Sequence, residues 1–284
     1  MTLDRRTLLR AALGGTVAGM ASDVLAQVVA LPGVEEACDR ARSALDGLLW
    51  DRGVRKVAAD LARASALRGA WANAAMDGAE VPFAAVESGT FEASPMGERA
   101  ARTVALTAEL PRLVEIYDRT PLQALARMNT VLVGGLAPDS EVGRPRADSD
   151  AEDPLRIGRM PLALEVSARL SDLAELIVAP STAPALVKAG IVHGELAVLR
   201  PFRHASGPVA RASIRLSLAA PGLDPDLLTV PESGLLSAGR NSYVKALRGY
   251  SAGTADGVAD WLTWFCSAVA AGAQQSRRMA AELG

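Results

Sequence analysis

Alanine and leucine supply most of the apolar residues of this chain, whereas aromatic residues make up only 4% of it. Both are strong helix formers, because they lose little side-chain freedom in a helix. A sheet would instead need runs of Val, Ile, Tyr and Phe. The chain has 284 residues and can bury one large core. These features predict an all-α protein.

The spacing of the apolar residues supports this prediction. Between Val34 and Leu49 they recur at steps of three and four residues, which places them on one face of a helix. Comparable patterns continue to the C-terminus and predict nine or ten helices in all. One of these covers residues 54–76, and Gly78 is suited to its left-handed C-terminal cap.

Prolines and bulky aromatic residues refine the helix prediction. Pro111 is expected to divide one region into helices 97–110 and 112–118, and Asp224 is expected to open a short helix. Large aromatic side chains at helical spacing usually pack in the interior. We therefore expect all four tryptophans in the core: Trp50, Trp71, Trp261 and Trp264.

The clearest loop lies at 137–161, where Pro, Gly and Asp are concentrated. Long loops inside a folded domain are usually functional or flexible, so this one is either a surface flap or an insertion. The helices on its two sides do not differ in composition, which argues against a linker. Residues 21–284 are therefore predicted to form a single domain.

The N-terminus supports two interpretations. Arg5-Arg6 and a soft apolar stretch up to Val24-Leu25-Ala26 resemble a twin-arginine export signal. Alternatively, residues 1–20 are an extension and the protein starts at Met20, which favours a cytoplasmic location. The cytoplasmic location is the leading expectation and export is the alternative. No apolar run reaches the ~18–20 residues that span a bilayer, so no integral membrane segment is predicted.

Charge and cysteine usage exclude several classes of function. With 30 basic against 32 acidic residues, the chain has no overall field that would attract nucleic acid. Cys38 and Cys266 share no metal-ligand spacing and are expected to be free thiols buried in helices. No metal site is predicted, and zinc-protease, nucleophile-elbow and P-loop patterns do not occur.

One segment carries a specific resemblance. The stretch Leu199-Arg200-Pro201-Phe202-Arg203-His204-Ala205-Ser206-Gly207-Pro208-Val209-Ala210-Arg211 resembles the signature of the Fic family, H-P-F-x-D/E-G-N-G-R-x-x-R. In that family the His deprotonates a target hydroxyl and the acidic residue holds Mg²⁺. The Gly-Asn-Gly backbone and the two Arg residues bind the phosphates of ATP. The resemblance implies an AMP-transferring ancestor whose cofactor is ATP with Mg²⁺.

The match to this signature is incomplete. Four positions agree with it, namely Pro201, Phe202, Gly207 and Arg211, and the segment 184–220 corresponds to a degenerate Fic core. Arg200 replaces the catalytic His, and a guanidinium stays protonated at neutral pH, so it cannot act as a base. His204 replaces the metal-binding acid, although Mg²⁺ prefers oxygen ligands. If these two positions have no function, we expect Arg200 to be a solvated surface residue and His204 to be a loop residue without a role.

Three further replacements fall where phosphate would bind. Ala205 stands for the first Gly, Ser206 for Asn, and Pro208 for the first phosphate-binding Arg. Proline is welcome in the first turn of a helix, but it has no N–H for an anion. The helix is therefore predicted to remain while its affinity for phosphate falls. The candidate nucleotide-binding residues are Ser206, Gly207 and Arg211.

A second match lies upstream. Many Fic proteins carry an inhibitory helix with S/T-x-x-x-E-G/N, whose Glu pairs with the second Arg of the signature. Asn73-Ala74-Ala75-Met76-Asp77-Gly78 has this layout, with Asn and Asp as replacements. The resemblance implies that Asn73, Asp77 and Gly78 are regulatory, with Asp77 paired to Arg211. It also places the flap of the family in 136–161, as a short β-hairpin.

These residues leave three hypotheses. The leading one is a Fic-like protein without AMP transfer, which binds a nucleotide or a protein partner. The second is an active nucleotidyl- or phosphate-transferase in which Arg200 and His204 have new roles and His204 is the base. The third is a helical interaction protein that holds another chain with the 137–161 loop. The partner and the oligomeric state stay open.

Overall fold

Helices form nearly all regular structure in the computed structural model, which describes residues 25–284. Residues 1–24, with both interpretations of the N-terminus, lie outside the described residues. After a helical turn at 25–29, the described part contains twelve helices and no strand. They are α1 (Val34–Leu49), α2 (Arg52–Lys56), α3 (Ala58–Met76), α4 (Phe83–Ser88), α5 (Pro95–Arg119), α6 (Pro121–Val133), α7 (Ala163–Val178), α8 (Ala185–Leu199), α9 (Ser206–Ala219), α10 (Pro231–Ala238), α11 (Arg240–Ala252) and α12 (Ala255–Leu283). The all-α prediction is confirmed, and the helices are slightly more numerous than predicted.

The helix boundaries follow from local chemistry. Asp51 accepts hydrogen bonds from Gly53 N and Val54 N at the start of α2, and Thr254 accepts one from the backbone at the start of α12. Gly78, at φ 85°, takes the left-handed conformation just after α3. The predicted stop at this glycine is therefore confirmed.

Two predictions of local structure are wrong. Pro111 lies inside the continuous helix α5, because Leu110 and Leu113 on either side of it are both buried. Burying two leucines stabilises the helix by roughly 3–6 kcal/mol, which offsets a proline penalty of about 3 kcal/mol. Asp224 does not open a helix either. Its carboxylate instead accepts hydrogen bonds from Leu228 N and Thr229 N, both at 2.9 Å, and so closes a turn.

Helix α8 lies at the centre of the core, and every residue from Leu186 to Leu199 except the half-buried Lys188 is buried. It packs against α9 and α12, among others. Glycines allow this approach: a Cβ on Gly190 would lie 2.6 Å from Leu262 Cδ2, and one on Gly194 would lie 2.9 Å from Trp261 Nε1. The helix that leads into the motif is therefore held from all sides.

Only one of the four tryptophans is fully buried, so the expectation that all of them pack in the core is wrong for Trp50. Trp261 is inaccessible, whereas Trp50 is 69% exposed. Trp50 follows the last turn of α1, and the Arg55 guanidinium lies 5.1 Å above its ring. Trp71 and Trp264 are half-buried. Trp50 lies after the end of α1, where only the side chain of Arg55 from α2 covers one face of its ring and leaves most of it exposed.

The segment 137–161 consists of turns and bends, and the described residues there form no strand. The β-hairpin that the resemblance implied is therefore absent from it. Its polar groups are satisfied by contacts to the motif segment rather than by a partner strand, as described below. Among residues 25–284, no helix is both long and apolar enough to cross a membrane.

Candidate functional site

The motif loop, residues 200–206, connects α8 to α9 through two residues with left-handed backbone. Arg200 has φ 47° and Ala205 has φ 58°. Non-glycine residues in this region cost roughly 1–3 kcal/mol each, so the loop needs other contacts to hold it. Ser206 supplies two of them, because its hydroxyl accepts from Phe202 N at 2.9 Å and donates to Phe202 O at 2.8 Å. The helix start and the loop are thereby tied together.

Arg200 is buried, contrary to the expectation of a solvated surface residue. Its side chain is 3% exposed, forms an ion pair with Asp153, and donates from Nη2 to Gly158 O at 3.0 Å. Both partners belong to the 137–161 loop. The position of the family's catalytic base is thus occupied by a cation that the chain itself neutralises.

Arg146 also links the motif loop to the 137–161 loop. Its Nε donates to Arg200 O at 2.9 Å, and its Nη2 donates to Pro161 O at 2.8 Å. Its backbone N also donates to Pro201 O at 2.8 Å. Burial lowers the pKa of Arg146, and the nearby Arg200 guanidinium lowers it further. The backbone of the motif loop is therefore covered by the 137–161 loop.

Arg203 is surrounded by acidic side chains of the covering loop. Its guanidinium lies 2.7 Å from Asp148 Oδ2 and 2.7 Å from Asp150 Oδ2, with Glu141 at 3.6 Å. These ion pairs are substantially exposed, so each contributes little to stability. Their main effect is to neutralise the positive charge of the motif loop.

His204 also faces carboxylates. Its Nδ1 lies 3.1 Å from Glu152 Oε1 and its Nε2 lies 3.1 Å from Glu141 Oε2. The side chain is 33% exposed. Asn129 donates to His204 O at 2.9 Å, which fixes the backbone at this position. The ring is therefore held in one orientation by two acidic side chains.

Arg211 lies in α9 and is inaccessible to solvent. Its Nη2 lies 2.8 Å from Asp77 Oδ2, and its Nε donates to Asn73 Oδ1 at 2.7 Å. Asn73 Nδ2 donates in turn to Pro208 O at 3.1 Å. The predicted pair between Asp77 and Arg211 is therefore present, and Asn73 extends it into a three-residue network between α3 and α9.

The Asp77 carboxylate lies against the N-terminus of α9. A Cβ on Gly207 would lie 3.2 Å from Asp77 Oδ2 and 3.1 Å from Arg211 Nη1. A helix N-terminus favours an anion, and here the anion is a side chain of the same protein. Asp77 Oδ1 is buried without a hydrogen-bond partner, and Pro208 has no N–H to offer it. Arg99 donates to Asp77 O at 3.2 Å, which holds the end of α3 in place.

A buried histidine supports the same helix. His193 Nδ1 lies 2.8 Å from Ala210 O, so it must donate, and Tyr243 OH then donates to Nε2 at 3.0 Å. Burial and the nearby Arg211 charge together lower the pKa of His193 to about 3, although the hydrogen bond with Ala210 O opposes them. Burial also raises the pKa of Tyr243. Both ring nitrogens of this core histidine are therefore satisfied.

The donor set does not suit Mg-ATP. Among the described residues no group of three or more His, Cys, Asp or Glu side chains is placed to hold a metal ion. The buried cation Arg211 already has its counter-ion, and the α9 N-terminus is faced by the Asp77 carboxylate. A phosphate would have to displace Asp77 against charge repulsion. Nucleotide binding by Ser206, Gly207 and Arg211 therefore stays a prediction, and it requires that Asp77 move away from Arg211.

Comparisons with known proteins agree on the fold. No protein-family model matches the sequence, and no curated protein matches it. Among solved structures, the chain is similar to a Fic family protein from Desulfovibrio desulfuricans G20, with a TM-score of 0.72, 18% identity, and coverage of 87% of this chain and 75% of that one. The chain has the Fic fold.

Two other solved structures show the same similarity. A fragment of Fic-1 from C. elegans gives a TM-score of 0.68 at 15% identity, covering 99% of this chain and 83% of that one. A Fic-domain-containing signaling protein from Bacteroides thetaiotaomicron VPI-5482 gives 0.66 at 14% identity, covering 87% of this chain and 98% of that one.

The motif residues of this site were predicted from the sequence, whereas the residues of the loop that covers them were not. Arg200, His204, Ser206, Gly207 and Arg211 lie in or next to the motif loop as expected. Upstream, Asn73 and Asp77 contact α9, whereas Gly78 follows the end of α3 and shows no contact with the motif. Most of the missed residues belong to the 137–161 loop, namely Glu141, Arg146, Glu152 and Asp153, and Asn129 of α6 was missed as well. The one available signal was the density of acidic residues in that loop, opposite two arginines of the motif.

Proposed function

We propose that this protein is a non-catalytic member of the Fic fold class, which transfers no AMP and binds a protein partner. The observation that carries the proposal is the placement of Arg200, a permanent cation paired with Asp153, where a base would have to stand. General-base catalysis requires a group that can accept the proton of the attacking hydroxyl. The Arg200 guanidinium is already protonated at neutral pH and cannot accept that proton.

The state of the anion site supports the same conclusion. The Asp77 carboxylate is 5% exposed and pairs with Arg211 at the α9 N-terminus. An incoming triphosphate would meet this carboxylate at the helix end where the signature binds phosphate. We therefore expect nucleotide affinity to be weak or absent while Asp77 is in place.

Exposed leucines support a protein partner. Leu136 and Leu162 flank the 137–161 loop and are 53% and 49% exposed, and Leu164 in the first turn of α7 is 80% exposed. A contiguous exposed apolar patch is typical of surfaces that bind another protein, and we propose that these leucines contribute to one. Hydrogen bonds and ion pairs tie the covering loop to the motif segment, and these leucines lie at its two ends.

The catalytic part of the proposal is tested with Mg-ATP. The full chain is titrated with Mg-ATP by calorimetry and incubated with α-labelled ATP, with itself and a cell extract as targets. Asp77→Ala tests whether Asp77 blocks a latent site, and Asp60→Ala, which removes an exposed carboxylate, is the matched control. We expect no label transfer from any of the three proteins. AMP incorporation by the wild type or by Asp77→Ala would overturn the proposal.

The partner-binding part is tested separately. Tagged wild-type protein is used to capture partners, alongside Leu164→Asp and the control Trp50→Asp, which alters an equally exposed apolar residue at α1. We expect a partner that is retained by the wild type and by Trp50→Asp but lost from Leu164→Asp. Equal capture by all three proteins would place the binding surface elsewhere.

An altered transferase is the second candidate, and one observation favours it. His204 is the partly exposed imidazole of the motif loop, and Glu141 and Glu152 hold its ring in one orientation. Oriented imidazoles of this kind act as bases in other enzymes. If the labelled-ATP assay gives turnover, His204→Ala must abolish it for this candidate to stand.

A further inference from the structure

Two cysteines that are far apart in the sequence meet inside the core. Cys38 lies in α1 and Cys266 in α12, 228 positions later, and their Sγ atoms are 3.6 Å apart. Both thiols are free and buried. Sulfur atoms at this distance are in contact, and a disulfide requires them to approach by only about 1.5 Å more.

The packing of the two helices holds the thiols in register. A Cβ on Gly33 would lie 3.7 Å from Thr263 Oγ1, and one on Gly47 would lie 3.8 Å from Arg277 Nη1. In both cases the contacting residue of α12 lies 230 positions after the glycine. The two helices therefore run parallel and side by side. The contact between the cysteines is therefore a product of the whole helix interface rather than of one local rotamer.

We propose that Cys38 and Cys266 form an oxidative modification site, at which a peroxide converts the two thiols into a disulfide that joins α1 to α12. Hydrogen peroxide first oxidises one thiol to a sulfenic acid and releases water. The second thiol then attacks that sulfur, the S–S bond forms, and a second water leaves. The two thiols lose two electrons and two protons in total, and the peroxide gains both.

The surroundings favour Cys38 as the thiol that reacts first. The hydrogen bond with Cys266 lowers the pKa of Cys38, although burial opposes this effect. The pKa of Cys266 is raised by the same hydrogen bond and by burial. The thiolate is the nucleophile toward peroxide, so Cys38 becomes the sulfenic acid and the adjacent Cys266 resolves it. A water-sized oxidant suits a buried pair better than a bulky disulfide does.

The cross-link would constrain nearly the whole described chain. The closed loop runs from Cys38 to Cys266 and includes ten complete helices, α2 to α11. Disulfides stabilise mainly by restricting the unfolded state, and the effect grows with loop length. For a chain of this size we expect the oxidised form to unfold roughly 10 °C higher than the reduced form.

The test compares reduced and peroxide-treated full-length protein. Each sample is denatured, alkylated with N-ethylmaleimide and weighed by intact-mass spectrometry, and its Tm is measured with and without dithiothreitol. We expect the reduced protein to take up two alkyl groups. The oxidised protein should take up none, weigh two hydrogens less before labelling, and show a raised Tm that dithiothreitol reverses.

Single substitutions provide the controls, and Cys38→Ala and Cys266→Ala replace each small buried thiol with a small apolar side chain. Neither variant should show the peroxide-dependent rise in Tm. Two alkylatable thiols after peroxide treatment, oxygen added to either cysteine in the peptide masses, or a disulfide between two chains would each overturn the proposal. The mass of the wild-type protein decides the question even if one variant folds poorly.

Discussion

Replacing Asp77 with Ala leaves the Arg211 guanidinium without its carboxylate inside the core. The two side chains are 5% and 1% exposed and their charged atoms are 2.8 Å apart, so water cannot substitute for the lost partner. Breaking a buried ion pair from one side costs about 3–5 kcal/mol. Asn73 still accepts two hydrogen bonds from Arg211, at 2.7 and 3.3 Å, which places the expected loss near the lower end, at about 3 kcal/mol.

The measurement is urea unfolding at 25 °C followed by far-UV circular dichroism. At this chain length, about 3 kcal/mol corresponds to a fall in Tm of roughly 6 °C. The double variant Asp77→Ala/Arg211→Met removes both charges at similar volume, so it should recover at least ~2 kcal/mol relative to the sum of the single variants. Asp60→Ala breaks only an exposed pair with Arg63 and should change stability by less than ~0.5 kcal/mol.

Two results would refute this reasoning. If Asp77→Ala costs less than about 1 kcal/mol, the pair is not sealed from solvent, and the anion site at α9 is open to ligands. If the double variant is as unstable as the sum of both single variants, the two residues act independently, and the destabilisation comes from the separate loss of packing.

Three further predictions follow from buried or crowded positions. His193 has its pKa lowered in the folded state, so its contribution to stability is full above the unfolded pKa of ~6.5 and is lost as pH falls toward about 3. Unfolding at pH 7 and pH 5 should differ by about 2 kcal/mol more in the wild type than in His193→Gln. Gly234→Ala would drive a Cβ into the backbone of α12 and should cost more than ~3 kcal/mol in urea unfolding, whereas Gly249→Ala, with no atom nearer than 3.8 Å, should be tolerated. Arg200→Ala leaves Asp153 unpaired and should accelerate proteolytic cleavage within 137–161, and an unchanged cleavage rate would show that the loop is held by other contacts.

Local patterns in the sequence were enough to predict the helices and one side of the site. Apolar spacing and the caps depend on residues three or four positions apart, which is why the end of α3 at Gly78 was predicted correctly. The pair between Asp77 and Arg211 was also predictable, because two short motifs in a known order place α3 beside α9.

The rest of the site depends on contacts that no local pattern encodes. Arg200 was expected at the surface because an arginine usually lies there. Its burial depends on Asp153, 47 positions earlier, and on the path of an irregular loop. Pro111 failed as a helix breaker for a related reason, since tertiary burial of the helix face outweighs a local penalty.

The distribution of charge around the motif connects these observations. A site that binds a nucleotide triphosphate needs cations whose field is not already cancelled. Here every arginine of the motif segment has an acidic partner from the same chain: Arg200 with Asp153, Arg203 with Asp148 and Asp150, and Arg211 with Asp77. These acids come from two separate segments, the end of α3 and the 137–161 loop. If only the catalytic base had been replaced, the phosphate-binding site would still carry unpaired positive charge and would be open. Neutralisation of all three arginines is instead consistent with the proposal that the motif anchors the loop that covers it.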